Sequence, residues 1–110
     1  MTDETTNPSR HEAKEAYDSQ ASKDGQETMM PQVDWTTFIM SLSSSVLAQL
    51  GEVPDPESGQ KGINLDMARH TINILGMLEE KTAGNLTPEE ERQFKDILFE
   101  LQMKYVQKSQ

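Results

Sequence analysis

From residue 33 onward, apolar residues recur at spacings of three and four in three separate segments, and this periodicity constrains the fold more than any other feature. In the first segment the series consists of Trp35, Phe38, Ile39, Leu42, Val46 and Leu50. Apolar residues at such spacings line one face of an α-helix. The sequence therefore predicts an all-α domain over residues 33–107. Its three amphipathic helices, at about 35–50, 65–82 and 88–107, form a small helical bundle or hairpin.

The predicted helix starts carry capping residues. Asp34, Asn64 and Thr87 each precede one of the three segments, and their side-chain oxygens can accept hydrogen bonds from first-turn amides. Thr87 is followed by Pro88 and, at the third helical position, by Glu90, which is the pattern of a capping box with proline at the first helical position. These signals indicate where the helices begin.

The same spacings predict contacts within the helices. The expected pairs are a hydrophobic staple between Val33 and Phe38 and ion pairs Glu91–Lys95 and Glu100–Lys104. Gly51 should end the first helix in a left-handed conformation. Gly76 lies inside the second predicted helix, where glycine is unfavourable by about 1 kcal/mol relative to alanine, so we expect a close helix crossing to offset it.

Residues 1–32 differ from the rest in composition. The segment 1–31 has seven acidic and three basic residues, a net charge of −4, and few large apolar residues. Such a segment buries too little apolar surface to offset the entropy lost on ordering. We predict a disordered acidic tail over residues 1–32. A transient helix over residues 12–20, with Ala13, Ala16 and Tyr17 along one side, is the alternative.

Charge and composition exclude several classes of protein. The net charge is −9, and residues 32–110 contain twelve acidic and seven basic residues, so neither part has the basic stripe that nucleic acid or an anionic membrane requires. No apolar run approaches the length of a membrane span. The chain has no cysteine and no signal peptide at its start, which favours a cytoplasmic protein without disulfides, thiol catalysis or cysteine-bound zinc.

Candidate reactive groups lack the partners that catalysis needs. The serines at 41–45 have no nucleophile-elbow motif, and the glutamates at 79–80 and 89–91 are typical of solvated helix faces. The loop at 52–63 resembles the start of a calcium site, but Gln60 stands where the turn needs glycine. His70 is best explained as a helix histidine hydrogen-bonded to Asp66. We therefore expect no catalytic, cofactor or metal site, and no enzyme.

The remaining functional candidate is a surface. The helical stripes contain few large apolar residues for a domain of this length, so a monomer has little margin of stability. We therefore expect the chain to bind a protein partner or a second copy of itself, most simply as a homodimer. The candidate interaction residues lie beside the predicted stripes and are Met40, Leu47, Met67, Met77 and Met103. One alternative is a ligand- or metal-dependent regulator that uses the loop at 52–63 and His70. Another is an acidic mimic of nucleic acid, although the acidic residues are interspersed with basic ones and do not form long acidic runs.

Four motifs together resemble a known family. They are Val33-Asp-Trp-Thr-Thr-Phe-Ile-Met-Ser-Leu, Leu50-Gly-Glu-Val-Pro-Asp-Pro, Ile74-Leu-Gly-Met-Leu-Glu-Glu-Lys-Thr and Gly84-Asn-Leu-Thr-Pro-Glu-Glu-Glu. In this order they resemble the bacterial domain-of-unknown-function family 1844, over about Val33 to Val106. The resemblance implies a short, acidic, helical bacterial protein with no assigned activity. It supplies no catalytic residues.

Overall fold

The computed structural model describes residues 9–25, 30 and 32–110, and its regular structure is entirely α-helical there. The helices are α1 (Arg10–Gly25), α2 (Trp35–Gln49), α3 (Leu65–Lys81) and α4 (Pro88–Ser109). The chain divides into two compact units, Met1–Pro31 with α1 and Gln32–Gln110 with α2, α3 and α4. The prediction of an all-α fold is confirmed.

The number of helices is larger than predicted, because α1 lies in the segment expected to be disordered. Ser9 and Glu12 form a capping box: the Ser9 hydroxyl accepts from the Glu12 amide at 3.1 Å, and the Glu12 carboxylate accepts from the Ser9 amide at 2.9 Å. An ion pair between Lys14 and Asp18 at 2.9 Å adds support on the exposed surface. Local contacts, not burial, therefore define α1. The disorder predicted for residues 1–8, 26–29 and 31 lies outside the described residues.

Three hydrogen bonds between distant residues define the arrangement of α2, α3 and α4. The Thr36 hydroxyl donates to Gln93 at 3.2 Å near the starts of α2 and α4, and Lys104 donates to Glu52 at 3.2 Å beyond the end of α2. These two helices therefore run parallel. The amide of Asn64 donates to the Gln49 carbonyl at 2.7 Å, which returns α3 antiparallel to α2. Each of the three helices packs against the other two, forming an up-down-up bundle.

The core of the bundle comes from the predicted apolar stripes. Its buried members are Ile39, Val46, Leu50, Ala68, Ile72, Leu75, Phe94, Leu98 and Leu101. The Trp35 ring packs edge-on against Phe94, with centroids 5.5 Å apart. The predicted staple is wrong, because Val33 is 99% exposed and Phe38 lies beside Trp35, with ring centroids 6.0 Å apart. Chain periodicity thus identifies the buried faces but not the contacts of residues before a cap.

The predicted caps are all present in the bundle. Asp34 accepts from the Thr37 amide at 2.8 Å, and Asn64 accepts from the Met67 amide at 3.1 Å. Thr87 and Glu90 form the reciprocal capping box, with bonds of 2.9 and 3.1 Å. Each cap depends only on neighbouring residues, which is why the sequence reveals it.

The end of α2 forms a Schellman motif. Gly51 adopts the predicted left-handed conformation with φ of 79°. The Gly51 amide donates to Ala48 at 3.1 Å, and the Glu52 amide donates to Leu47 at 2.9 Å, which satisfies carbonyls of the last turn. The motif directs Glu52 toward α4.

This placement changes one predicted ion pair. Glu91 and Lys95 lie 3.6 Å apart as expected, but Lys104 binds Glu52 instead of Glu100, and Lys108 adds a second contact to Glu52 at 3.5 Å. The hydrogen bond from Lys104 and the charge of Lys108 hold the pKa of Glu52 below its usual value. The predicted Glu100–Lys104 pair is therefore wrong, because the tertiary fold offers Lys104 a closer carboxylate.

The expected close crossing at Gly76 is also absent. A Cβ atom added there would have no neighbouring atom within 4 Å apart from those of its own helix. Tertiary contact therefore does not explain the glycine in α3.

Candidate interaction surface

The five predicted interaction residues lie on different parts of the bundle. The four methionines are between 44% and 50% exposed, whereas Leu47 is half-buried and packs against the core. Met67 lines a cleft beside the loop at 50–64, and Met103 lines a separate cleft on α4. The structure therefore does not collect these residues into one cleft.

The loop after α2 borders an open cleft of about 440 Å³. Its lining combines polar and apolar side chains from α2, the loop and the start of α3, among them Gln49, Lys61, Ile63 and Met67. Asp55 also lines it, but its Oδ1 atom accepts the amides of Glu57 at 2.7 Å and Ser58 at 3.2 Å. That oxygen shapes the loop, so it contributes little to a cation site.

The histidine of the alternative hypothesis lies apart from this cleft. His70 is exposed on α3 and is not among the residues that line the cleft. Asp66 pairs with Arg69 at 3.6 Å, so the predicted hydrogen bond between His70 and Asp66 is wrong. Within residues 9–25 and 32–110, no three His, Asp or Glu side chains converge as a metal site would require.

The serine cluster of α2 has structural contacts. The Ser41 hydroxyl donates to the Thr37 carbonyl at 3.1 Å, and the Ser45 hydroxyl donates to the Ser41 carbonyl at 3.3 Å. Ser43 is buried in the bundle, where a small side chain permits close approach of another helix. A hydroxyl that donates to a backbone carbonyl, as those of Ser41 and Ser45 do, is not hydrogen-bonded to a base that would activate it for nucleophilic attack.

The glutamates at the start of α4 are likewise engaged in local contacts. Glu89 pairs with Arg92, Glu90 completes the capping box, and Glu91 pairs with Lys95. A cleft of about 300 Å³ lies between the end of α3 and the start of α4, beside Glu79, Glu80 and Glu91. Solvated carboxylates held in caps and ion pairs are not poised for acid–base chemistry.

The outer face of α4 carries a row of exposed apolar side chains. Phe99 is 65% exposed, Met103 44% and Val106 43%. Their spacings of four and three place them in one row, on the side of the helix away from the buried row that contains Phe94 and Leu98. Phe99 and Met103 share a cleft of about 380 Å³ on this face. The predicted interaction residues include Met103 but neither Phe99 nor Val106, although the spacing of the three forms a second stripe.

No helix in the described part of the chain combines the length and apolar character needed to cross a lipid bilayer. The fold and its surface thus define a class. The protein has a small, capped three-helix domain with an exposed apolar face on α4, and a helical unit precedes this domain in the chain.

The comparison with family models then identifies the family. Residues 32–107 match the domain of unknown function DUF1844, and the chain belongs to this family. The matched range agrees with the extent of the resemblance seen in the motifs. No curated protein and no solved structure gives a significant match.

Proposed function

We propose that this protein is a non-enzymatic interaction module of the cytoplasm, which binds another protein chain through an exposed apolar helix face. The observation that carries the proposal is the row of Phe99, Met103 and Val106 on α4. Aromatic and methionine side chains that are partly exposed at helical spacing are typical of surfaces that bind a partner helix.

The chemistry of the rest of the bundle supports the proposal. The candidate nucleophiles donate hydrogen bonds to backbone carbonyls, and the candidate acids of α4 form caps and ion pairs. The net charge of −9 disfavours nucleic acid and anionic lipid as partners and permits a basic or neutral protein surface. The absence of cysteine from the sequence is in keeping with a reducing compartment.

The experiment compares complexes formed by two variants in an extract of the source cell. Phe99→Glu places a charge at the first and most exposed residue of the apolar row, whereas Met77→Glu places one on α3 at a methionine that is 50% exposed. We expect the wild-type chain and Met77→Glu to be recovered in the same stoichiometric complex, homomeric or heteromeric, and Phe99→Glu to be lost from it. Recovery of Phe99→Glu in an unchanged complex would contradict the proposal. Circular dichroism verifies that both variants remain folded.

A further inference from the structure

The apolar row on α4 belongs to a longer heptad pattern. Exposed residues follow one another at spacings of four, three, four, three and four from the second turn of α4 to the residue after its end, namely Arg92, Asp96, Phe99, Met103, Val106 and Gln110. Such spacings are those of the a and d positions at which two helices of a coiled coil meet. We call these six residues the α4 seam.

We propose that the α4 seam binds the α4 seam of a second copy of this chain, with the two helices parallel and in register. This inference rests on the proposed function and names its partner. In this arrangement Phe99, Met103 and Val106 each meet their own counterpart, which forms three consecutive apolar layers. The two copies are then related by a two-fold axis, so the same surface is used by both.

The charges that flank the seam favour this orientation. Lys95 occupies the g position and Glu100 the e position of the heptad. In a parallel pair, each g residue faces the e residue of the following heptad in the other helix, five positions on. Lys95 therefore meets Glu100 of the partner subunit, and two-fold symmetry forms this pair twice. An antiparallel pair that places Phe99 against Met103 would bring the two Glu100 carboxylates together instead.

The side chains needed for these pairs are available. Glu100 is exposed and has no ion pair among residues 32–110, since Lys104 binds Glu52. Lys95 contacts Glu91 at 3.6 Å, but both side chains are at least half exposed, and such a surface pair exchanges partners readily. Pairing of copies would thus gain two contacts without breaking a buried one.

The polar start of the seam is compatible with pairing. Arg92 and Asp96 lie 3.5 Å apart in one chain, and their side chains are 61% and 72% exposed. In the parallel arrangement Arg92 and Asp96 also face their own counterparts, but each Asp96 lies within reach of two Arg92 side chains, one from each copy, which offsets the like charges. Because only three layers are apolar, we expect a modest dissociation constant, on the order of 10–100 µM.

Sedimentation equilibrium of the full chain, over about 5–500 µM, measures this association. Met103→Lys places two like charges in the central layer and should weaken pairing about tenfold or more. Met77→Lys is the matched control, since it alters an equally exposed methionine on α3, and we expect it to associate as the wild type does. A monomeric wild-type chain over the whole range, or equal effects of the two variants, would overturn the inference.

A charge exchange tests the orientation. Lys95→Glu and Glu100→Lys, made singly, each place like charges at both flanking pairs. Each should raise the dissociation constant about fivefold. The double variant, Lys95→Glu with Glu100→Lys, restores opposite charges. Its dissociation constant should be within about twofold of the wild-type value. Additive weakening in the double variant would contradict a parallel, in-register pair.

The cysteine-free sequence permits an independent test of register. Val106→Cys provides a single thiol in a seam layer, and mild oxidation should link two copies through it. Met77→Cys is the control and should remain unlinked at the same protein concentration. If the chain dimerises but Val106→Cys fails to cross-link, the proposed register is wrong. The wild-type chain could instead be monomeric and be recovered with a different protein that Phe99→Glu no longer binds. Self-pairing would then be refuted, and the proposed function would stand.

Discussion

Replacement of Gly76 by alanine should stabilise the bundle, contrary to what its position suggested from sequence. Gly76 lies in the interior of α3, and an added Cβ would meet no atom within 4 Å beyond its own helix. The substitution therefore introduces no clash, and it removes the extra conformational entropy that glycine has in the unfolded chain. The helix-propensity difference gives an expected gain of about 0.5–1 kcal/mol in the free energy of unfolding.

The single tryptophan makes the measurement specific to the bundle. Trp35 packs edge-on against Phe94, so its fluorescence reports the unfolding of α2 and α4. Urea titration should show a higher midpoint for Gly76→Ala with an unchanged slope. For a domain of this size, the gain corresponds to a melting temperature about 2–8 °C higher.

Gly84→Ala is the control, because the space around Gly84 is equally open but its φ is 86°. Alanine is strained in that left-handed conformation, and we expect a loss of about 1–2 kcal/mol. If Gly76→Ala lowered the urea midpoint as well, some group must pack closely against α3 at this residue. The reasoning from the isolated bundle would then be refuted.

Three further perturbations follow from the structure. Gly51→Ala should lower the free energy of unfolding by about 2 kcal/mol, because φ is 79° and the new Cβ would lie 2.9 Å from Ile63. A urea midpoint equal to that of the wild type would contradict this. Thr87→Ala removes half of a capping box and should lower the free energy of unfolding by about 1 kcal/mol, whereas Thr87→Ser should restore most of it. Because the pKa of Glu52 is lowered in the folded chain, its ion pair contributes stability above the usual glutamate pKa and loses it as pH falls through the lowered value. The stability difference between wild type and Glu52→Gln should therefore shrink in acid and in high salt, and a difference independent of pH would exclude the ion pair as its source.

The helix caps show how much local sequence determines. Asp34, Asn64 and Thr87 were identified from residue type and position, and each accepts the amide expected of it. A cap involves residues within one turn of each other, so no knowledge of the fold is needed. The capping box of Ser9 and Glu12 was equally readable, but the polar composition of the segment favoured a prediction of disorder. A helix over residues 12–20 was therefore only the alternative, and it is shorter than α1.

Contacts between distant residues were predicted less well. Lys104 was assigned to Glu100 on its own helix, but the Schellman motif at the end of α2 brings Glu52 closer. Likewise, the staple position of Val33 gave no indication that its side chain would be 99% exposed. Spacing along a helix identifies possible partners, and the fold decides which partner is nearest.

The candidate interaction surface was likewise predicted only in part from the sequence. The sequence alone determined that three amphipathic segments fold as helices and bury one stripe each, because a period of 3.6 residues fixes which side chains share a face. Only the tertiary structure decided that Leu47 packs against the core, that Gly76 has no close neighbour, and that Phe99 and Val106 extend the surface of Met103. Exposure depends on which faces the neighbouring helices cover, and that is set by long-range packing rather than by any single segment.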